Sequence, residues 1–494
     1  MTNEIVYGMP LLLIMAFSVI VLLVDAFTGN NKVAAYYFSI FALLTTAISA
    51  AITIFPLVPV ENIETPITVG SVMLGGYAAY FDIIFCTAGI LTIFASRPYL
   101  KREYQEYKEY YSLILFAVVG MMLISHAKSL LILFIGIELM SIVFYILSGF
   151  IRTRVTAVES ALKYFLLGSF ATGFLLYGMA MLYGATGTII FSEILTSVMN
   201  GSADMTYIRI GFALILIGLA FKSAAFPFHQ WAPDVYQGAP TTSTAFMSTA
   251  GKAAALIAFI IVAKSIIPAA IDITSISEGS LKLTAFSDTA RLIIAVISGL
   301  TMLVGNITAV VQKNVKRMLA YSSVAHAGYL LMGIVSNNEN GWSGIMFYST
   351  AYMFMQIGAF VIVGILEKDN ERMDFDDYSG LRKNHPWLAA LMAVFMFSLA
   401  GLPPFAGFPG KYMLFVGAIE SGYTWLTIVA VVSTIISIYF YIGLVLNMYF
   451  KDNEKGAVVT DISSAKITLT VSVIFVFLLG ILPNSLIELA RQLF

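Results

Sequence analysis

The sequence predicts an all-α polytopic membrane protein of about 14 transmembrane helices, built from two inverted five-helix repeats that each contain a broken helix. Three observations predict it. Hydrophobic residues make up 59% of the 494-residue chain and charged residues only 11%, where soluble domains carry roughly 25% charged; mean hydropathy is +0.89. Apolar runs of about 20 residues, the length that crosses a bilayer as a helix, recur along the whole chain. Two of these runs, near 218–240 and 398–415, are interrupted by prolines and resemble each other weakly (GLAFKSAAFP and SLAGLPPFAGFP). No polar stretch exceeds about 20 residues, so no soluble domain is expected.

Residues 1–110 hold three spans, near 4–25, 33–55 and 70–96. Acidic Glu4 precedes the first apolar run and no small-residue cleavage site follows it, so this run reads as a retained helix, not a cleaved signal. Residues 111–267 hold five spans, near 111–127, 129–150, 157–184, 206–227 and 241–267. The first two of these nearly touch at His126 and Lys128, which demands a tight turn. The stretch 188–200 is short and mixed, suited to the membrane interface or to a place between helices. Residues 288–450 hold five more, near 288–311, 316–336, 343–366, 386–419 and 424–450, and 466–494 a last one near 466–489. The broken segments lie five spans apart. An odd offset turns the second repeat upside down relative to the first, the arrangement of inverted-repeat transporters.

The distribution of cations tests the span order. Odd-numbered loops hold 17 of the 27 Lys+Arg, among them Arg97, Arg154, Lys316, Lys368, Arg372 and Lys455. Even-numbered loops, their flanking helix ends and the C-terminus share six, and the other four are intramembrane lysines. By the positive-inside rule the odd loops are cytoplasmic and both termini face the opposite side, in agreement with an even number of spans.

Those four lysines, Lys163, Lys222, Lys252 and Lys411, and the acid Glu138 lie inside apolar segments. Ionisable groups at bilayer depth are costly and seldom persist without a partner or a water-filled path. Lys222 is followed by Pro227, Pro233 and Pro240; Lys411 is preceded by Pro403, Pro404 and Pro409. Proline within a helix removes a backbone hydrogen bond, and the freed polar groups are tolerated only in protein or beside water. A lysine at such a break can be hydrated and can change protonation. Snorkelling of Lys222 to the membrane edge, or proline-kinked packing helices, are the plainer readings of the same residues. A buried acid and a buried lysine cost much less as a pair than alone, so Glu138 with Lys222 or Lys163 is the expected pairing, functional or simply structural.

Lys252 has no acid near it in sequence; it is a candidate central relay or a structural partner of another span. His326, about ten residues into its span, suits a proton shuttle or a packed, hydrogen-bonded position. His229 follows the first break and can carry protons toward the cytoplasm or cap a helix end. Asp25, Asp82, Glu159 and Asp234 lie near span ends or loops and are expected to face water; His126 and His385 read as interface residues. Met and aromatic residues are ordinary packing and lipid-facing material. A net charge of -1 gives no reason to expect nucleic acid. The single cysteine, Cys86, excludes a disulfide framework, a cysteine-ligated iron–sulfur cluster and a CxxC redox pair, and no histidine pair has haem or zinc spacing.

FHQWAPDVYQGAPTT (228–242) and KRMLAYSSVAHAGY (316–329), together with the placed lysines, resemble the antiporter-like membrane subunits of respiratory complex I and of the related multisubunit cation/proton antiporters and membrane hydrogenases. The likeness extends over essentially the full chain. The first motif looks most like the subunit N branch of bacterial NADH-quinone oxidoreductase, where sister subunits more often show a W-x-P-D-A-H type loop. No long lateral C-terminal helix is present, unlike the largest sister subunit.

The resemblance implies two antiporter-like repeats at 111–267 and 288–450. It implies that Glu138 matches the family glutamate of the fifth span, Lys222 the lysine of the first broken helix and Lys163 an additional lysine. Lys252 then matches the central lysine of the eighth span, and Lys411 the lysine of the second broken helix, where one sister subunit carries glutamate. It implies proton translocation with no redox centre or metal in this chain, with NADH, FMN, iron–sulfur clusters and quinone in partner subunits. The partners implied are other complex I membrane subunits, sister antiporter-like ones among them. The place implied is the bacterial inner membrane, with termini on the periplasmic side. A cation/proton antiporter or membrane-bound hydrogenase subunit is the alternative of the same class. A scaffold whose ion pairs only hold helices together is the alternative of a different class.

Overall fold

The computed structural model describes residues 2–27, 32–55, 66–266, 278–367, 373–452, 459 and 462–493. Among the cations counted above, Lys368, Arg372 and Lys455 lie outside the described residues, as does residue 267 of the eighth expected span.

The chain is a bundle of helices. Helices α1 (Thr2–Phe27) and α2 (Lys32–Ile54) pack on one another. A short antiparallel hairpin follows, β1 (Ile67–Val69) and β2 (Val72–Leu74), with Val69 opposite Val72. Its turn residue Gly70 has φ 57, a conformation open to glycine at little cost. The hairpin occupies the start of the expected 70–96 span, so the helix there, α3 (Gly76–Arg102), begins later. Next come α4 (Glu109–Ser125), α5 (Leu130–Ser148), α6 (Val155–Thr186), α7 (Phe191–Met199) and α8 (Met205–Ser223). Ser129 caps α5 by accepting from the Ile132 amide, which makes the tight α4–α5 turn possible. The expected short mixed segment is α7, which buries Phe191, Ile194 and Val198 against α11 and α12 defined below.

Beyond the first break lies α9 (Trp231–Gly238), and then one continuous column: α10 (Thr241–Phe246), a π turn (Met247–Gly251) and α11 (Lys252–Ile266). The second half runs α12 (Glu278–Val310), α13 (Val315–Ser336), α14 (Glu339–Leu366), short α15 (Leu381–Asn384), α16 (Pro386–Ala400), α17 (Gly407–Glu420) and α18 (Thr424–Phe450). It ends in α19 (Ala465–Ile481) and α20 (Asn484–Leu493).

Among the described residues 11 helices are long and apolar enough to cross a membrane, or up to 12 if α19 and α20, bent by 84°, form one span. Fourteen is not reached by that measure. Helix α4 has 17 residues and α16 has 15, because the expected 386–419 span stops at Gly401 and restarts as α17. The apolar window of the Thr241–Ser265 column is 100% buried, and those of α13 and α14 are 94% buried, whereas α1 and α18 bury 33%. Most polar residues of α11, α13 and α14, Lys252, His326 and Gln356 among them, are therefore interior, and the apolar helices α1 and α18 form the periphery.

Close helix crossings depend on glycine. A Cβ on Gly120 of α4 would lie 2.6 Å from the Met140 amide nitrogen of α5, and one on Gly136 of α5 would lie 2.9 Å from the Gly120 carbonyl. Small residues that let backbones touch are the usual device of helix pairs in lipid. Gly120→Leu is expected to destabilise the protein by about 1–3 kcal/mol, the usual penalty of overpacking, read as a lower thermal midpoint of the purified protein; an unchanged midpoint would refute this reading of the crossing.

Candidate functional site

At the first break, α8 ends at Ala224 in the left-handed conformation (φ 57). The amide of Ala225 bonds the Ala220 carbonyl at 2.8 Å. Trp231 of the HQWAPD motif stacks on Tyr164 and donates its indole N–H to the Phe221 carbonyl at 2.9 Å. The last turn of α8 is thereby satisfied without solvent, and Lys222 in that turn is free to point at α5. Its ammonium donates to Ser141 Oγ at 2.7 Å and Tyr145 Oη at 3.3 Å. Glu138 lies on the same face of α5, three residues before Ser141, and accepts a hydrogen bond from Thr172 of α6 at 2.9 Å. The direct Glu138–Lys222 contact expected from sequence is not formed: Lys222 is held by Ser141 and Tyr145, and Glu138 acts on it only through space.

Lys163 does not pair with Glu138 either. Two turns into α6, its side chain is 43% exposed and bridges Glu159 (2.8 Å) and Asp234 (3.0 Å). It belongs to an open pocket of about 150 Å³ lined also by Thr156, Ser160 and Gln237, not to the buried interior. Asp234, expected to face water, is the hub of this corner: it also accepts from Arg317 of α13 at 2.7 Å, joining the two halves. Partial burial pushes its carboxyl up, but the hydrogen bonds from Arg317 and Lys163 outweigh this and hold it below the usual carboxylate range. His229 is 8% exposed and stacks on Phe226; its Nδ1 has no hydrogen-bond partner among the described residues.

The interior route continues along one face of α13. Lys252 leaves the π turn at the head of α11 and donates to the Ser323 carbonyl and, at 2.6 Å, to Ser323 Oγ. One turn on, His326 places Nδ1 2.6 Å from the Tyr348 hydroxyl and Nε2 3.0 Å from the Tyr441 hydroxyl, which also bonds Ser322. Another turn on, the Tyr329 ring lies 4.8 Å from the Lys411 ammonium. Residues 323, 326 and 329 share a helix face by their spacing, so a single helix strings Lys252, His326 and Lys411 together.

Lys411 sits in α17 and donates to the Leu399 and Ala400 carbonyls, at 3.1 and 3.2 Å, at the C-terminus of α16. A cation there satisfies orphan carbonyls at the negative end of the helix dipole. Gly401 has φ +85°, the left-handed region that favours glycine, and a Cβ there would crowd Lys411 Cδ at 3.0 Å.

Lys222, Lys252 and Lys411 are 6%, 2% and 3% exposed. Among the described residues none of the three makes an ion pair; each is solvated by neutral oxygens. The sequence reading missed those oxygens: Ser141, Tyr145, Ser323, Tyr348 and Tyr441. Helical spacing points to Ser141, Tyr145 and Ser323, which share faces with Glu138 and His326; nothing in the sequence points to Tyr441.

Four further expectations are corrected. Asp25 is buried and accepts from Ser112 at 3.2 Å, because α4 packs across α1. Asp82 and His126, read as water-facing and interfacial, are 0% and 1% exposed and bond one another at 2.9 Å. Arg154 and Lys316, counted among the loop cations, enter a buried cluster around Glu367, which the sequence reading did not single out. Glu367 receives Arg154 at 2.7 Å and Tyr99 at 3.0 Å, with Thr241 bonded beside them and Lys316 at 3.9 Å; Arg154 also binds Glu103. His385 is half-buried at the N-terminal end of α16, in keeping with its reading. Glu159 is 57% exposed and pairs with Lys163.

Burial pushes the Glu367 carboxyl up, but Lys316 and Arg154 outweigh it and keep it below the ordinary range. Its stabilising contribution is therefore complete above the ordinary glutamate pKa and fades only as pH falls through the lowered value. Glu367→Ala, which leaves buried Lys316 without its carboxylate and Arg154 with Glu103 alone, is expected to cost about 3–5 kcal/mol, measured as a fall in thermal midpoint at pH 7; the deficit should narrow in acid, where the unmodified protein loses the same contribution.

A family model for NADH:quinone oxidoreductase/Mrp antiporter transmembrane proteins matches residues 127–437. The chain is 40% identical over 493 residues to NADH-quinone oxidoreductase subunit N 1 of Chloroherpeton thalassium, covering 100% of this chain and 98% of that one. It is 45% identical over 425 residues to NADH-quinone oxidoreductase subunit N of Trichlorobacter lovleyi, covering 85% and 84%. Among solved structures it is similar to a chain of respiratory complex I from Thermus thermophilus with bound aureothin, with TM-score 0.80 and 30% identity over 98% of this chain and 99% of that one. The fold is shared with the Mrp complex from a Dietzia species, with TM-score 0.82 and 20% identity over 100% and 97%. The span of the family match and the full-length relatives agree: the chain belongs to the NADH:quinone oxidoreductase/Mrp antiporter membrane-subunit family, within its subunit N branch.

Proposed function

We propose that this chain is a proton-translocating membrane subunit of a bacterial NADH:quinone oxidoreductase. It is a non-redox part of the enzyme, coupling electron transfer performed in other subunits to proton movement. The observation that carries the reading is the buried run of titratable groups on one helix face, Lys252–Ser323–His326–Tyr441/Tyr348, ending at Tyr329 against Lys411. Charged groups are retained at that depth where they serve an ion path.

The roles follow from the contacts. Ammonium groups held by hydroxyls and carbonyls are not locked charged by a touching carboxylate, so each lysine can pass its proton on. Two openings on the cation-rich side support entry there. A cavity of about 580 Å³ runs from Gln105, Glu109 and Arg152 to Tyr145, whose hydroxyl touches Lys222. The Lys163–Asp234 pocket is the second, with His229 beyond it in the break. Protons then load Lys222 under the influence of Glu138, pass to Lys252, and leave through His326 and Lys411. Residues 111–267 and 288–450 are the two antiporter-like repeats, with both termini on the periplasmic side of the inner membrane. Moving one charge against 100 mV costs about 2.3 kcal/mol, so the drive comes from quinone chemistry in neighbouring subunits, which hold NADH, FMN, iron–sulfur clusters and quinone.

A cation/proton antiporter subunit is the second reading, favoured by the breadth of the matched family and by the fold shared with the Mrp complex. Affinity purification separates the two: co-migration with flavin and iron–sulfur subunits in an NADH-oxidising particle is expected, and small hydrophobic partners without NADH oxidation would favour the antiporter. In the assembled complex, Lys222→Ala is expected to cut proton pumping to about a tenth or less, as befits removal of a proton-transfer group, with quinone reduction falling alongside. Normal pumping in that variant would overturn the proposal.

A further inference from the structure

Three unfinished hydrogen bonds share one face of α14. Ser349 Oγ, Tyr352 Oη and Gln356 Oε1 are buried and have no hydrogen-bond partner among the described residues. Their residues are 4%, 2% and 0% exposed. Spacings of three and four place them in one stripe, over about 10 Å of helix. Gln356 shows that the stripe faces the interior, because its Nε2 donates to the Leu319 carbonyl of α13 at 3.3 Å. A carbonyl only accepts, so the amide cannot be turned round and Oε1 is the end left over. Each unpartnered polar atom in such a place is costly. Three in one stripe beside a titratable axis share one cause: they hold ordered water.

Tyr352 is the member that reaches the axis. Its ring lies 4.8 Å from the His326 imidazole and 6.4 Å from the Tyr348 ring. Ser323, the oxygen ligand of Lys252, faces its hydroxyl from α13. Tyr441 of α18 and Tyr236 of α9 act on it through space, and Tyr236 packs on Trp231 at the first break. The bonded contacts of the axis leave a gap at this point. Lys252 ends on Ser323, and His326 begins at Tyr348 and Tyr441. No side-chain hydrogen bond joins the two sets among the described residues, and Tyr352 stands between them.

We propose that Tyr352 is the proton-transfer residue between Lys252 and His326, with Ser349 and Gln356 holding water on either side of its hydroxyl. The Lys252 ammonium gives a proton to Ser323 Oγ as Ser323 passes its own to Tyr352 Oη. The phenol proton moves through water to Tyr441, and Tyr441 gives its own to His326 Nε2. Each oxygen gains one proton and loses one. Lys252 ends as a neutral amine and His326 as an imidazolium whose Nδ1–H points at Tyr348 Oη. This deepens the proton-translocation reading above and rests on it.

Tyr352→Phe in the assembled complex is the test. It keeps the ring against His326 and removes only an unbonded hydroxyl, so the fold has no bond to lose and the thermal midpoint should hold or rise. Proton pumping is expected to fall to about a tenth or less of the unmodified complex. The solvent deuterium isotope effect on NADH-driven turnover should rise as this transfer becomes limiting, which a change of packing would not bring about. Normal pumping, or lost pumping with an unchanged isotope effect, would overturn the proposal. A density map of the unmodified complex that resolves ordered water needs no variant: water within hydrogen-bonding distance of all three orphaned atoms is expected, and a dry stripe overturns the relay. Lys222→Ala in the same preparation separates the two claims. Normal pumping there sinks the translocation reading, whereas lost pumping there beside an unaltered Tyr352→Phe complex removes only the Tyr352 step.

Discussion

An ammonium group held out of water must be solvated by oxygens that the protein itself supplies, and the interior of this bundle is arranged around that need. The cost of an unsatisfied ion at bilayer depth exceeds what most packing contacts return. Three lysines meet it with three different oxygen sources. Lys222 takes a serine and a tyrosine from a neighbouring helix, Lys252 a serine hydroxyl and its carbonyl, and Lys411 the carbonyls left over where a helix ends. The broken helices are part of the same solution. A break creates unpaired carbonyls, and at α16 a lysine caps them.

This choice of ligands separates two kinds of charged site in one molecule. At the cation-rich face, Glu367, Arg154, Lys316 and Glu103 meet in direct ion pairs, and Asp234 is clamped between Lys163 and Arg317. Such pairs hold their members charged and hold helices in place: the Glu367 cluster binds the end of α14 to the start of α10, and Asp234 binds α9 to both α6 and α13. Along the axis, by contrast, hydroxyls, phenols and an imidazole intervene. Those groups can donate and accept at once, which an ion pair of fixed charges cannot. Rigid ionic fastening at one end and neutral, exchangeable hydrogen bonding through the middle suit a body that must move protons without coming apart.

The motif KRMLAYSSVAHAGY acquires a physical meaning from this arrangement. Its lysine and arginine are fasteners, reaching Glu367 with the Ala239 carbonyl and Asp234 respectively. Its Ser323, His326 and Tyr329 recur every third residue and present one polar stripe to Lys252, Tyr348, Tyr441 and Lys411. HQWAPDVYQGAPTT does parallel work at the first break: Trp231 caps α8, Asp234 joins three helices, and Thr241 closes the Glu367 cluster.

Much of this was legible in the sequence. Apolar runs of bilayer length announced a helical membrane protein because backbone groups in lipid have no other partners than their own helix or a closed barrel. Prolines beside Lys222 and Lys411 marked the broken helices, since proline lacks the hydrogen-bond donor that a continuous helix needs. The depth of Lys222, Lys252, Lys411 and His326 followed from apolar neighbours on both sides. What sequence by itself could not decide is which groups meet. Asp82 and His126, separated by 44 residues, look like loop-edge polar residues until α3 and α4 are packed together. Lys163 lies in an apolar segment like Lys222, yet it opens to a pocket at the α6–α9 contact, where Glu159 and Asp234 meet it. Glu367 reads as the first charge of a polar loop and becomes the centre of a cluster only through helices that approach from across the fold. Local hydropathy determines whether a segment enters the membrane, and partner choice depends on oxygens brought from distant helices, so only the tertiary structure decides it.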